Sequence, residues 1–127
     1  MAGAGARCPA APECWDGLVE TNGDIATPSA LPCKGPHTWQ TFAIGIMPSD
    51  VASFNANVVQ ASPRVSAVCS HAVLLRSRVG NARLIPRGPW TIQVVSPDEA
   101  AYNTGVRTYR CLATLGLDKS RTSQFGA

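Results

Sequence analysis

The chain has no apolar run approaching the ~20 residues needed to cross a bilayer, and Met1 to Arg7 lacks the apolar core of a secretory signal peptide. Charge is sparse: Asp, Glu, Lys and Arg make up 15% of residues, against about a quarter in ordinary globular domains. There are only two histidines, His37 and His71. No Cys-x-x-Cys pair occurs, which removes the commonest signature of zinc ribbons and thioredoxin-like redox sites. No Gly-x-Ser-x-Gly elbow occurs, and Gly3-Ala4-Gly5 precedes no strand–helix unit that would cradle a phosphate. These absences leave little room for common catalytic machinery or a cofactor.

What is present fits one folded domain rich in turns. Apolar residues reach 45% over 127 residues, too many for a disordered chain, and Gly 11 and Pro 10 supply the turns. The formal charge of +3 is mild. Arg76, Arg78, Arg83 and Arg87 cluster in sequence, which suggests a phosphate-binding stripe. The structural alternative is that the first two close a helix, where cations oppose the macrodipole. No aromatic residues interleave with these arginines, so nucleic acid is not an expected partner.

The five cysteines are Cys8, Cys14, Cys33, Cys69 and Cys111. Cys69 falls on the apolar stripe of a predicted helix and Cys111 in a predicted strand. A helix packed on a sheet brings such positions together, so Cys69–Cys111 is the first expected bridge. Cys14 and Cys33 flank a turn-rich segment and form the second. The loops closed are about 42 and 19 residues, worth on the order of 4 and 3 kcal/mol in the chain-entropy model. Cys8 is left over, with no assigned role. Disulfides imply an oxidising compartment, so the expectation is an extracytoplasmic domain whose export segment lies upstream. A competing reading takes Cys8, Cys14, Cys33 and His37 as a tetrahedral zinc set, although the first spacing is longer than usual.

The pattern along the chain predicts an α+β fold. Residues 1–13 are small and Pro-rich and read as a flexible arm, 14–117 as the domain, and 118–127 as a frayed tail. A short strand is expected near Leu18. Residues 37–47 form the first strong strand, with Gln40, Phe42, Ile44 and Ile46 on the core face and Trp39, Thr41, Ala43 and Gly45 opposite. Ser49-Asp50 caps a short helical stretch to about Val59. The main helix starts at Ser62-Pro63, carries Val65, Val68, Cys69, Ala72, Leu75 and Val79 on one stripe, and stops at Gly80-Asn81. Trp90 to Val95 is a strand. Ser96-Pro97-Asp98-Glu99 reads as a capping box opening a short helix that closes at Gly105. The last strand, 106–115, turns Arg107, Tyr109, Cys111 and Ala113 inward and Arg110 outward. The sum is a small, mainly antiparallel sheet of three to five strands, one long helix on one face, one or two short helices and two disulfides.

Few residues qualify for chemistry. Cys69 and His71 are two positions apart on a helix and diverge, so they make no nucleophile–base pair. Asp98 and Glu99 read as helix-starting acids. Trp15 and Trp90 are expected to pack over the bridges and sheet. Trp39, on the less apolar strand face, is the aromatic best placed to meet a glycan or peptide. With His37 and Gln40 it makes the candidate binding site; no catalytic, cofactor or metal residues are assigned.

The ordered landmarks Cys14-Trp15-Asp16, Cys33, Pro36-His37, Phe42-Ala43, Cys69, Trp90, Pro97, Gly105 and Tyr109-Arg110-Cys111 together resemble the septum-formation domain family of actinobacteria, across roughly residues 14–115. Similar domains occur on outward-facing parts of some receptor-like serine/threonine kinases. The resemblance implies an extracytoplasmic, membrane-tethered module with cysteines paired first to second and third to fourth. It implies no catalytic residues. The sequence departs from the family pattern at Gln40, where the family tends to place an acid, and in Cys8. The expected function is a non-catalytic binding or sensory domain at the cell surface, with an unidentified protein or envelope ligand. The other two readings are a small secreted hydrolase and an intracellular zinc-stabilised interaction domain.

Overall fold

A computed structural model describes residues 7, 9, 11–21, 24–26, 29–35, 37–85, 90–115 and 125. Cys8 and Arg87, and the zinc and phosphate-stripe readings that used them, fall partly outside these residues. The chain forms β1 (Cys14–Asp16), β2 (Val19–Thr21), β3 (Asp24–Ala26), β4 (Ser29–Leu31) and the long β5 (Trp39–Ile46). Then come α1 (Ala56–Ala61), α2 (Pro63–Val68), α3 (His71–Ser77), a 3₁₀ turn (Gly80–Leu84), β6 (Thr91–Val95), α4 (Glu99–Asn103) and β7 (Thr108–Thr114). Five strands make one antiparallel sheet in the order β4-β1-β5-β7-β6, and β2 and β3 pair as a separate hairpin. No helix among the described residues is long and apolar enough to cross a membrane.

The expected disulfides are both present, Cys14–Cys33 and Cys69–Cys111. The second ties the helical layer to β7, in the sheet interior. The helical layer itself differs from expectation, because the single long helix over 62–79 is broken. Ser62-Pro63 does begin a helix, but α2 ends where Cys69 (φ −87°, ψ 48°) leaves helical geometry. Ser70 (φ −106°, ψ 160°) then caps α3, its hydroxyl accepting from the Val73 N–H at 3.2 Å. A serine that offers the backbone an alternative partner is a natural breaking point. The break also changes the buried face. Val65 and Val68 face the core as expected, but beyond it Val73 and Leu74 do so, while Ala72 and Val79 are exposed.

Two caps lie elsewhere than the sequence suggested. α1 starts at Asn55, whose side chain accepts from the Asn57 and Val58 N–H groups, while Pro48 to Val51 is only a turn. Asparagine is poor inside a helix but among the best residues at its start. α4 is capped by Asp98, whose Oδ1 accepts from Ala101 N–H at 2.8 Å. Ser96 is not the cap; its hydroxyl donates to the Phe54 carbonyl. At the other end Gly105 (φ 98°) closes α4 as proposed. Its N–H donates to Tyr102 and the Val106 N–H to Ala101, both at 3.0 Å. That bond pair is a Schellman motif, whose left-handed residue favours glycine.

The register of β5 explains most of the core. Thr41 pairs with Leu112 and Ala43 with Cys111, so Phe42 is one residue extra, a β-bulge. Paired residues share a face of the sheet. Gln40 (opposite Ala113), Ala43 (opposite Cys111) and Gly45 (opposite Tyr109) therefore lie on the helix side. Ile44 and Ile46, expected beside Phe42, are switched to the other side. Phe42 still reaches the core with Trp90 and Phe125, the ring centroids of Phe125 lying 5.7 Å from Phe42 and 5.2 Å from Trp90.

The described residues from the two terminal segments are docked. Arg7 and Ile44 exchange backbone hydrogen bonds at 2.9 Å, and Thr41 N–H donates to the Glu13 carbonyl at 2.9 Å. Glu13 also forms an ion pair with Arg110 at 2.8 Å. Pro9 and Phe125 are buried. Burial of the proline and the phenylalanine offsets the entropy lost in fixing those two residues. Apart from Arg7, the other residues of 1–10 and 116–127, on which the expected arm and tail mostly fall, lie outside the described residues.

Candidate binding groove

The three residues singled out from sequence do not make one exposed patch. His37 and Gln40 are fully buried, and only Trp39 is half-exposed. The His37 ring nitrogen Nδ1 lies 2.9 Å from the Gly35 carbonyl, which fixes it as the donor, and its buried Nε2 has no hydrogen-bond partner among the described residues. The Gln40 amide reaches the Phe125 carbonyl at 3.5 Å. Gln40 faces the core because pairing with Cys14 and Ala113 sets it on the helix side. Trp39 pairs with Trp15 on the opposite side, where Trp15 Nε1 donates to the Thr41 hydroxyl at 3.0 Å. That bond anchors the Trp15 ring on this side of the sheet, where both tryptophans are half-buried.

His71 is likewise committed to the backbone, its Nε2 lying 3.2 Å from the Trp90 carbonyl. The zinc set fails on a chemical ground. Cys14 and Cys33 are joined to each other, and disulfide sulfurs offer no thiolate to a metal.

A concave site exists at the other end of β5. The bulge turns Ile46 outward, leaving it 64% exposed, and Pro48 then starts a tight turn closed by Val51 N–H to Pro48 O at 3.0 Å. Across from this turn the Schellman closure of α4 reverses the chain, so that Tyr102 and Arg107 meet. The Arg107 guanidinium carbon lies 3.7 Å from the centre of the Tyr102 ring. Its Nη1 donates to the Tyr102 carbonyl at 2.8 Å and the Val106 carbonyl at 3.0 Å. Phe54 supports the far side of Tyr102, with ring centroids 5.7 Å apart. Met47 N–H donates to Arg107 O at 2.8 Å and locks the two walls together.

The groove between these walls encloses about 430 Å³, lined by Ile46, Met47, Pro48, Val51, Tyr102 and Arg107 together with Ser49 and Ala52. That volume is within the range of small-ligand sites. A second hollow of about 320 Å³ continues from Ser49 to Asp50, Ser62, Pro63 and Arg64. The first groove is mostly apolar, with one cation whose orientation is set by an aromatic face. Such a surface can grip an apolar side chain and pair with a carboxylate.

Sequence reasoning missed this groove for two reasons. It placed Ile46 on the core face, since strict alternation takes no account of a bulge, and it counted Arg107 in the last strand, which begins only at Thr108. The available signal was Gly105, because a glycine-closed helix followed directly by a strand brings the residues on either side of it together. Comparison with protein-family models, with curated proteins and with solved structures finds no match for this chain.

Proposed function

We propose that the chain is a non-catalytic extracytoplasmic binding domain of a cell-surface protein, and that it holds a short protein segment in the groove between Ile46 and Arg107. The observation carrying this reading is the exposed Ile46 beside an arginine fixed over Tyr102. Among the described residues the groove lining contains no acid, so its charge complements a segment carrying an apolar side chain and a nearby Asp or Glu. The two disulfides fit a non-reducing environment. The resemblance to septum-formation domains points to a partner in the cell envelope or division machinery, with tethering through segments outside this chain. Both histidines bond to backbone carbonyls, which favours a binding role over a hydrolytic one.

A displayed peptide library selected on the oxidised chain tests this. The expected consensus pairs an aliphatic or aromatic residue with an acid. Its affinity should fall about tenfold or more in Ile46→Asp, which adds a charge to an apolar contact, and in Arg107→Gln. Enrichment that is unchanged by both substitutions would reject the groove.

A further inference from the structure

We propose that the knob formed by residues 75–85 docks on an anionic lipid surface. Between positions 51 and 97 the sequence has five arginines (Arg64, Arg76, Arg78, Arg83 and Arg87) and not one Asp or Glu; all eight acids lie outside that stretch. The helical layer is therefore cationic on a chain whose remainder is slightly acidic.

Within this stretch one arginine is structural. Arg78 donates from Nε to the Leu75 carbonyl at 2.9 Å and from Nη1 to the Ile85 carbonyl. It ties the end of α3 to the end of the 3₁₀ turn and makes one small knob of the intervening chain. Arg76 and Arg83 are exposed on that knob. The ion pair among the described residues joins Glu13 to Arg110 instead, so none of the described carboxylates neutralises these two. Leu84 stands beside Arg83 at 83% exposure, and Val79 is also exposed.

A single exposed leucine is ordinary. Leu84 differs in its placement, exposed at the end of a tight turn beside Arg83 in an acid-free stretch. Arginines at headgroup level with an aliphatic side chain entering the acyl boundary is how peripheral proteins engage anionic membranes. A soluble polyanion would use the arginines and leave Leu84 without a role, which favours lipid. This surface is separate from the groove.

Flotation of the oxidised chain with vesicles tests the assignment, using phosphatidylcholine alone and phosphatidylcholine mixed with phosphatidylglycerol. Binding should require phosphatidylglycerol and weaken as salt is raised. It should drop about fivefold for each of Arg76→Gln and Arg83→Gln, and about tenfold for Leu84→Ser. Ile46→Asp should bind vesicles as the wild type does, so that failure of the groove reading stays distinguishable. All these positions are exposed, and thermal melts confirm folding; salt dependence of the unaltered chain gives a second measure of charge. Equal binding to neutral vesicles would overturn the proposal, as would binding indifferent to Leu84→Ser. Tight binding to inorganic polyphosphate that is insensitive to Leu84 would do the same, by assigning the arginines to a soluble anion.

Discussion

The two disulfides staple regions of opposite character. Cys69–Cys111 joins the point where the helical layer breaks to a central strand; Cys111 is fully buried among Phe42, Val94, Tyr109 and Ala113. Cys14–Cys33 closes the edge of the sheet, joining β1 to the chain just beyond β4, with Cys33 half-exposed. The inner bridge spans a sequence separation of 42 residues and the outer one 19. Chain entropy alone separates them by less than about 1 kcal/mol. Each bridge has one buried cysteine (Cys111, Cys14) and one half-buried one (Cys69, Cys33), but only the inner bridge belongs to the main hydrophobic cluster, so core packing adds to it. The edge bridge holds a small three-strand margin that has less other packing to rely on.

The largest expected effect follows from that contrast. Replacing Cys69 and Cys111 together by alanine should cost about 4 kcal/mol through chain entropy, with a further loss from the cavity left behind. Replacing Cys14 and Cys33 should cost about 3 kcal/mol. For a domain of ordinary stability the first approaches complete unfolding. Urea titration of the two double variants measures the difference. A smaller loss at the buried pair than at the edge pair would mean that core packing is not added to the inner staple.

A second experiment sharpens the comparison inside the sheet. A Cβ on Gly45 would lie 2.9 Å from Cε1 of Tyr109 and closer still to its Cζ and hydroxyl oxygen. Gly45 is flat against its cross-strand partner, so the glycine here serves close approach and not a turn. Gly45→Ala should destabilise by about 1–3 kcal/mol, the ordinary cost of overpacking. A chain melting unchanged would show that Tyr109 can swing aside and that the inner half of the sheet is less tightly packed than its burial suggests.

How far the sequence foretold this architecture depends on the kind of signal. The bridges, the strand cores and the helix close at Gly105 were legible, because cysteine placement, alternation and a glycine stop each have a local cause. The break in the helix over 62–79 was not, since the apolar spacing runs smoothly through Ser70 and a serine inside such a pattern does not by itself announce that it caps a new helix. The bulge at Phe42 was equally silent. One extra residue moved Ile46 from the core to the surface, and with it the candidate groove. His37 and Gln40 illustrate the converse: polar residues that look like surface chemistry are buried, Gln40 through the register of β5. Their chemical type is visible in sequence, whereas the side of the sheet they occupy is a long-range property.

The smallest effect tests how the inner region responds to pH. Burial pushes the Tyr109 hydroxyl above its usual value of 10.0, because the phenolate would lose its hydration. In the unfolded chain the same group ionises near 10. Between that pH and the raised folded value, the unfolded state has released a proton that the folded state keeps. Unfolding is then favoured as pH rises, so the stability contributed by neutral Tyr109 is fully present below about pH 10 and declines above it, by at most about 1.4 kcal/mol per pH unit. Tyr109→Phe removes this titration while keeping the ring that covers Gly45. Melting temperatures of the two proteins should run parallel up to about pH 10, with the original chain falling faster beyond it. Parallel curves throughout would mean that the hydroxyl reaches solvent when ionised, and that the inner half of the sheet opens more readily than the edge held by Cys14–Cys33.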